Sequence, residues 1–362
     1  MDFHELPDGV TAKHVAEMHQ ADLKIEHKYN CRGLTYWCDE KRQTAFCLIV
    51  APNKQSIVAL HEKAHGAVPQ RIIEVNDTIV ESFLGRIEDP EKSQNTTLNI
   101  INDPAFRTIM YINLKKAVLR TTESNTLNAA VRGYNKSIVY YTNSHNGRIV
   151  KQEANTFLIS FDNVTNAVVC AKKIQKTYNC IITPDLEFRI GISAGVPVTE
   201  KDSIFEDTIK VAERLSNHIK GKIVVTSEVK DLYESENLNN SIDSTIVRTI
   251  NSKNEIFLNS LVDFTEKEWN NPTLTADDYC KNLGFSKSQL YRKMIANTGQ
   301  SPNTFLKHYR LGKALNLLDK QEDNISEIAF KTGFNSPAYF SKCFQETYGV
   351  LPSVYFKLNT SK

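Results

Sequence analysis

LTADDYCKNLGFSKSQLYRKM (274–294), TGQSPNTFLKHYRLGKALNLL (298–318) and NISEIAFKTGFNSPAYFSKCFQETYGVLPSVYF (324–356) form a stretch that repeats itself. Shifted by fifty residues, Ser336 falls on Ser286, Phe340 on Leu290, Lys342 on Arg292, Gly349 on Gly299 and Pro352 on Pro302. Each copy reads as a short helix, a glycine (Gly284, Gly333) that can turn the chain at positive φ, and a second helix opening at a serine. The helix starts are marked by chemistry. Thr275 with Asp278, Ser286 with Gln289 and Asn324 with Glu327 have capping-box spacing, and Ser336 precedes Pro337 at the first helical position.

Charge points the same way. No acidic residue falls between Asp278 and Asp319, whereas Lys281, Lys287, Arg292, Lys293, Lys307, Arg310 and Lys313 do, although the chain as a whole carries only +2. A local cationic surplus draws phosphates. A helical bundle with one solvated basic face would share that surplus but has no need of two glycine-turned helix pairs in one repeat.

The motifs GFS…LYR, TGQSP, RLGKA, IAFKTGF, YFSKCF and YGVLP resemble the AraC/XylS type of transcription regulator over about the last hundred residues. The resemblance implies an all-α double helix-turn-helix on double-stranded DNA, here 255–362. A stiff helix at Thr304 to Leu318, about 22 Å long, would join the two units. Two recognition helices would then enter successive major grooves about 34 Å apart. In the first, Lys287, Ser288, Gln289, Tyr291 and Arg292 fall on the family's DNA-facing positions. Arg292 suits a bidentate contact to guanine, Lys287 a phosphate, and Gln289 divides between base and cap. In the second, Ser336, Pro337, Ala338, Ser341 and Lys342 face the groove and are small or weakly polar. Leu283, Phe285, Leu290, Ile328, Phe334 and Phe340 read as core.

A chain of 362 residues has room for two or three domains. No apolar run approaches a membrane span, and the first residues lack a signal-like pattern. Seven scattered cysteines, none in a C-x-x-C pair, fit a reduced cytoplasmic setting. Residues 1–88 read as strand, helix, two strands, helix, strand, an order that suggests a ferredoxin-like α+β sandwich. Its first helix, Thr11 to Lys28, places Ala12, Val15, Ala16, His19 and Leu23 along one face.

Six of the nine histidines lie in this unit. His61 and His65, four apart, project from one helical face, a spacing that lets two imidazoles grip one metal, and Cys47 offers a thiolate. The same spacing also suits core histidines satisfied by hydrogen bonds. The segments GVTAKHVAEMHQADL, YWCDE, AFCLIVAP and LHEKAHG resemble a small family of domains described as nickel-binding. That resemblance implies Ni²⁺ or another divalent transition metal on His19, Cys47, His61 and His65, with His4 and His14 as weaker candidates.

Asp89 to Leu98 (DPEKSQNTTL) reads as a linker, and 99–240 as a further α/β unit. The segments TIMYINLKKAV, GRIVKQEANTFLISFDNVTNAVVCAKKIQ, FRIGISAGVPVTE and AERLSNHIKGKIVVTSEV resemble the class III nucleotide cyclase homology domain. The family's two metal aspartates are replaced by Asn113 and Asn155. An amide carries no charge to hold a dication, so the resemblance implies a pseudo-cyclase acting in homodimerisation and signal transmission. Lys210 and Arg214 are candidate nucleotide or anion contacts. Ser235 to Asn254 reads as a second linker. The expectation is a cytoplasmic transcription regulator controlled by metal or a small-molecule effector. An active cyclase fused to a DNA-binding module, and a DNA binder without effector, stand as alternatives.

Overall fold

The computed structural model describes residues 1–90, 98–116, 125–153, 155–180, 186–197, 204–238 and 240–360. The chain begins with β1 (Asp2–Glu5), α1 (Ala12–Ile25), a 3₁₀ turn (Glu26–Tyr29), β2 (Arg32–Asp39), β3 (Thr44–Val50), α2 (Lys54–Ala64) and β4 (Arg71–Ile72). The strands lie in the order β2-β3-β1-β4 with every pair antiparallel. Period-two alternation sorts their side chains. Tyr36, Cys38, Ala45, Cys47 and Ile49 turn toward α1 and α2, meeting Ala12, Val15, Ile57 and Leu60. Trp37, Phe46 and Leu48 turn the other way.

That second face is covered twice. A helix with no counterpart in the sequence reading, α3 (Asp77–Leu84), supplies Val80, Phe83 and Leu84, and the next unit supplies Ile109, Ile204, Phe205 and Ala212 to the same core. The two units therefore share apolar packing. Arg107, 1% exposed, adds a polar tie, because its guanidinium donates to the carbonyls of Phe83 (3.0 Å) and Leu84 (3.1 Å) at the end of α3. Most of the segment expected as a linker (91–97) lies outside the described residues. Asp89 accepts a hydrogen bond from Asn99 Nδ2 at 2.8 Å.

The central unit runs β5 (Arg107–Lys116), α4 (Asn125–Ser144), β6 (Arg148–Glu153), β7 (Thr156–Phe161), α5 (Val164–Cys180), β8 (Leu186–Gly195), α6 (Glu206–His218), β9 (Ile223–Thr226), α7 (Ser227–Glu236) and β10 (Val247–Ile250). Its sheet order is β10-β9-β8-β5-β7-β6, antiparallel from β8 through β6 and parallel between β8, β9 and β10. Met110 and Ile112 pack under α4 and α5 with Tyr134, Ile138, Val168 and Ile174. The opposite face receives α6, whose backbone comes so close that a Cβ on Gly191 would stand 1.9 Å from the Ala212 carbonyl. Ser235 to Asn254 is not the expected linker. Val247–Ile250 pairs in parallel with β9, and the polar residues before it form the turns that lead into an edge strand.

The C-terminal part is all helical: α8 (Ser252–Glu268), α9 (Ala276–Leu283), α10 (Lys287–Thr298), α11 (Pro302–Lys320), α12 (Ile325–Lys331), α13 (Pro337–Tyr348) and α14 (Pro352–Thr360). All three expected capping boxes form, at Thr275, Ser286 and Asn324. The chain turns between α9 and α10 at Gly284 (φ 71°). The spanning helix α11 has 19 residues, longer than Thr304 to Leu318, and reaches about 28 Å. Its first half gives Phe305 and Leu306 to one core, and its second gives Leu311, Ala314 and Leu318 to another with Ile328, Phe334 and Phe340. One rigid rod thus belongs to both helix-turn-helix units. The first of these cores also takes in Leu215, Ile219, Val224 and Ile250 of the central unit, against Phe257, Leu258 and Leu261 of α8. No helix among the described residues is long and apolar enough to cross a membrane.

Candidate metal centre and DNA-reading surface

The first strand and the two helices of the N-terminal unit bring ligand-type side chains together under the sheet. Asp2, His4 and Cys47 form one group and Asp22, His61 and His65 a second, with donor atoms in each within 4.8 Å of one another. Antiparallel pairing of β1 with β3 sets Asp2 opposite Cys47. His61 joins the groups: Nε2 lies 3.0 Å from Asp2 Oδ2, and Nδ1 lies 3.2 Å from Asp22 Oδ2 and 3.0 Å from His65 Nε2. Asp2, Asp22 and His61 are 1%, 2% and 1% exposed.

Burial alone would push the Asp2 and Asp22 carboxyls up and the His61 imidazole down. The hydrogen bonds between them outweigh it, holding both carboxyls below the usual range and raising His61 to about 9. Burial, reinforced by the Asp2 charge, drives the Cys47 thiol well up, so a thiolate there needs a cation beside it. Asp22 Oδ1 is buried and accepts no hydrogen bond, although His65 Nε2 stands 3.3 Å away. Carboxylate, imidazole and thiolate in a closed pocket suit a borderline transition-metal dication, and the residues present fit one.

Of the four expected ligands, Cys47, His61 and His65 meet here. His19 does not. It belongs to neither group, lies 3.7 Å from Asp89 and packs on the Tyr36 ring. His4 joins Asp2 at 3.5 Å, while exposed His14 caps its own helix through the backbone N–H of Thr11. Asp2 and Asp22 were missed. The signal for Asp22 is its place three residues after His19 on the α1 face, where it is buried while Leu23, the residue expected on that face, is 38% exposed.

In the central unit Asn113 sits on β5 opposite Thr156, next to Asn155, and donates to Asn217 Oδ1 at 2.5 Å. Among the described residues, the ligand-spaced groups are the two of the N-terminal unit. Arg214 does not present an anion site. Only 8% exposed, it donates to Asn259 Oδ1 (3.0 Å), Asp263 Oδ1 (2.6 Å) and Glu266 Oε2 (3.3 Å), all on α8, so its charge is satisfied at the seam with the helical part. Lys210 is ion-paired with Glu206 one turn away.

On α10 the expected residues Lys287, Ser288, Gln289, Tyr291 and Arg292 are all exposed. Gln289 Oε1 accepts from the Ser286 backbone N–H at 3.0 Å, which spends its carbonyl on the cap. Lys287 Nζ rests 2.7 Å from Asp277, and Arg292 Nε donates to the Ser288 carbonyl at 3.3 Å. On α13, Ala338 and Lys342 are exposed, whereas Ser336, Pro337 and Ser341 are half-buried. Ser336 Oγ accepts from the Tyr339 N–H at 3.3 Å and acts as the helix cap. Tyr339 itself, 57% exposed, is an aromatic that the sequence reading passed over.

Residues 279–358 match the helix-turn-helix domain family, and residues 1–75 match the family described as nickel responsive protein SCO4226-like. Among curated proteins, the chain is 37% identical over 107 residues to histidine kinase P4 of Formosa agariphila, covering 30% of this chain and 8% of that one. It is 35% identical over 100 residues to the HTH-type transcriptional regulator MtrA of Neisseria gonorrhoeae, covering 28% and 32%. It therefore spans a third or less of these relatives' length. Among solved structures, a transcriptional regulator with an AraC-type DNA-binding domain from Chromobacterium violaceum is 25% identical, with 30% of this chain and 96% of that one covered and a TM-score of 0.28. Adenylyl cyclase CyaB from P. aeruginosa is 16% identical, with 36% and 81% covered and a TM-score of 0.30. The chain carries an AraC-type helix-turn-helix domain toward its C-terminal end and, over residues 1–75, an SCO4226-like domain.

Proposed function

We propose that the chain is a sequence-specific transcription regulator that works in the cytoplasm as a homodimer on double-stranded DNA, and that a nickel-like ion in the N-terminal unit sets its DNA affinity. The observation that carries the DNA half is α11, one rod whose two halves serve the cores of two capped helix pairs. Such a rod fixes the separation of two recognition helices, as reading neighbouring turns of one duplex requires. On this reading Arg292, Tyr291 and Ser288 face bases, Lys287 and Lys342 hold phosphates, and Ala338 contributes apolar contact.

For the metal half, Asp2, His4, Cys47, Asp22, His61 and His65 would hold the ion, and His19 would not. The sheet order β2-β3-β1-β4 supports a ferredoxin-like reading of this unit. A dication held by these residues would supply positive charge to offset the Asp2 and Asp22 carboxylates, a role His61 fills without it. We read the central unit as a cyclase-like fold without turnover, because Asn113 and Asn155 offer amides where two-metal chemistry needs carboxylates. Selection of sites from random DNA, with and without Ni²⁺, tests the proposal alongside metal analysis of untagged protein. A defined site bound more tightly in one metal state is expected. No sequence preference, or metal content unchanged in a His61→Ala, His65→Ala double variant, would overturn the corresponding half. Cyclic nucleotide formed from ATP or GTP with Mn²⁺ would restore the enzyme reading.

A further inference from the structure

A cavity of about 650 Å³ opens on the central unit between α5, β9 and the edge strand β10, apart from the candidate metal centre and the exposed face of α10. Its charge is one-sided. Lys172, Lys173, Lys176, Lys222 and Arg248 line it, and none of its lining residues is acidic. Val169, Ile223 and Ile246 give it an apolar floor. Gln175, 8% exposed, also lines it, and its Oε1 is buried without a hydrogen-bond partner.

A concave volume of this size, with cations over apolar residues, fits a small organic phosphate better than a polynucleotide backbone, which would use the cations and leave the apolar floor uncovered. We propose that this cavity binds an organic phosphate of nucleoside-monophosphate size. Its phosphate lies among Lys172, Lys222 and Arg248, and its flat body rests on the apolar floor.

The site is wired to the DNA reader. Arg248 donates from Nη2 to the Ala296 carbonyl (2.8 Å) and from Nη1 to the Lys220 carbonyl (2.7 Å) and, at 3.4 Å, to that of Asn297. Lys220 N–H donates to the Asn297 carbonyl as well, at 2.8 Å. Ala296 and Asn297 end α10, the helix that opens with Lys287 and Ser288. An anion on the Arg248 guanidinium competes for donors that hold this helix end, so ligand and DNA each change the other's affinity by one shared factor. This coupling rests on the DNA-reading proposal; the binding does not.

The test uses the full chain. Thermal unfolding is followed with AMP, GMP, CMP, UMP and ribose 5-phosphate, with adenosine as the uncharged control. At a hundredfold excess over Kd a rise of roughly 5 °C is expected for at least one nucleotide and none for adenosine. Lys172→Gln with Lys222→Gln, one half-buried and one exposed, abolishes the rise and leaves the unliganded melting temperature in place. The same nucleotide changes affinity for a selected DNA site by about tenfold, and Arg248→Lys, which gives up the bonds to Ala296 and Lys220, removes that change and reduces the thermal shift. No rise with any phosphate, or a rise that survives the double lysine variant, overturns the proposal. If the double variant instead flattens the salt dependence of DNA binding and no phosphate binds, the cavity grips the DNA backbone and the small-ligand assignment is wrong. Arg292→Ala separates the two readings, since it weakens DNA binding and leaves the nucleotide shift intact.

Discussion

His61→Ala, in protein stripped of metal by a chelator, removes the donor that Asp2 and Asp22 share. Both carboxylates are buried, and the imidazolium between them is held charged with its pKa near 9. Breaking a buried ion pair from one side costs about 3–5 kcal/mol, because the remaining charge keeps its desolvation penalty. Partial compensation exists here: Asp2 also accepts from the Cys47 backbone N–H at 3.1 Å, and Asp22 keeps His65 at 3.3 Å. The lower end of that range, about 3 kcal/mol, is the expected loss at pH 7.

Urea unfolding measures it, and the two tryptophans separate the units. Trp37 is buried in the core that the N-terminal and central units share, whereas Trp269 ends α8, so a Trp269→Phe background reports that shared core without the signal of the helical part. The pH dependence gives a second reading with a fixed sign. The His61 contribution is complete below its unfolded value of about 6.5 and disappears as pH rises through about 9. The Asp2 and Asp22 contributions, from depressed pKa values, are complete above the unfolded value of about 3.9 and disappear as pH falls. The alanine variant should therefore lose the alkaline limb of the profile, and its deficit should narrow above pH 9. A loss under 1 kcal/mol at pH 7, or an unchanged alkaline limb, would refute the picture of an imidazolium clamped between two carboxylates.

Arg292→Ala is expected to relax discrimination at one base pair by about 1–3 kcal/mol, read from affinities for single-base variants of a selected site. Lys287→Ala should weaken all sequences alike and reduce the salt slope by about 1. Arg214→Met should cost only about 1 kcal/mol in urea unfolding, since Asp263 and Glu266 are 64% and 51% exposed and can return to water. It should nevertheless diminish the metal-induced change in DNA affinity, and full coupling in the variant would show that this seam transmits nothing. Gly333→Ala should destabilise more than Gly284→Ala. Both glycines have positive φ, but an added Cβ at 333 meets Arg310 Nε at 2.9 Å and at 284 meets nothing within 4 Å; equal melting temperatures would show that Arg310 simply moves aside.

Local chemistry was readable wherever it acts within a few residues. Capping boxes, the glycine turn at Gly284, the alternation of Trp37 against Tyr36 and Cys38, and the histidine pair on α2 all follow from spacings of two, three and four. What escaped depends on partners distant in the chain. Val247–Ile250 is a short strand after a run rich in Asn and Ser, and only its parallel pairing with β9 makes it structure. Arg214 looked like a free cation because its acids lie 49 and 52 residues on, in another unit. Asp2 gave no signal at the chain's first strand, since its value as a ligand comes from a register that sets it opposite Cys47. His19 failed for the converse reason: it shares an apolar helix face but reaches a different partner.

The placement of α6 gives the regulatory reading a physical route. Ala212 belongs to the core built with Trp37 and Phe46, while Leu215 and Ile219 belong to the core built with Phe257 and Leu261 of α8. Arg214, between them in sequence, holds α8 through three side chains. One helix of 13 residues thus touches the packing of the N-terminal sheet on one side and of the helix-turn-helix part on the other. Close-packed cores resist continuous deformation and shift between discrete arrangements, so a small change at the sheet can select between two positions of α6. A metal that favours one of them by 1–3 kcal/mol changes DNA affinity by about 5- to 150-fold. The same arithmetic constrains the central unit: it needs no catalysis to serve, only two packings of α6 close enough in energy for an ion at the Asp2–His61 pair to choose between that pair bridged and that pair parted.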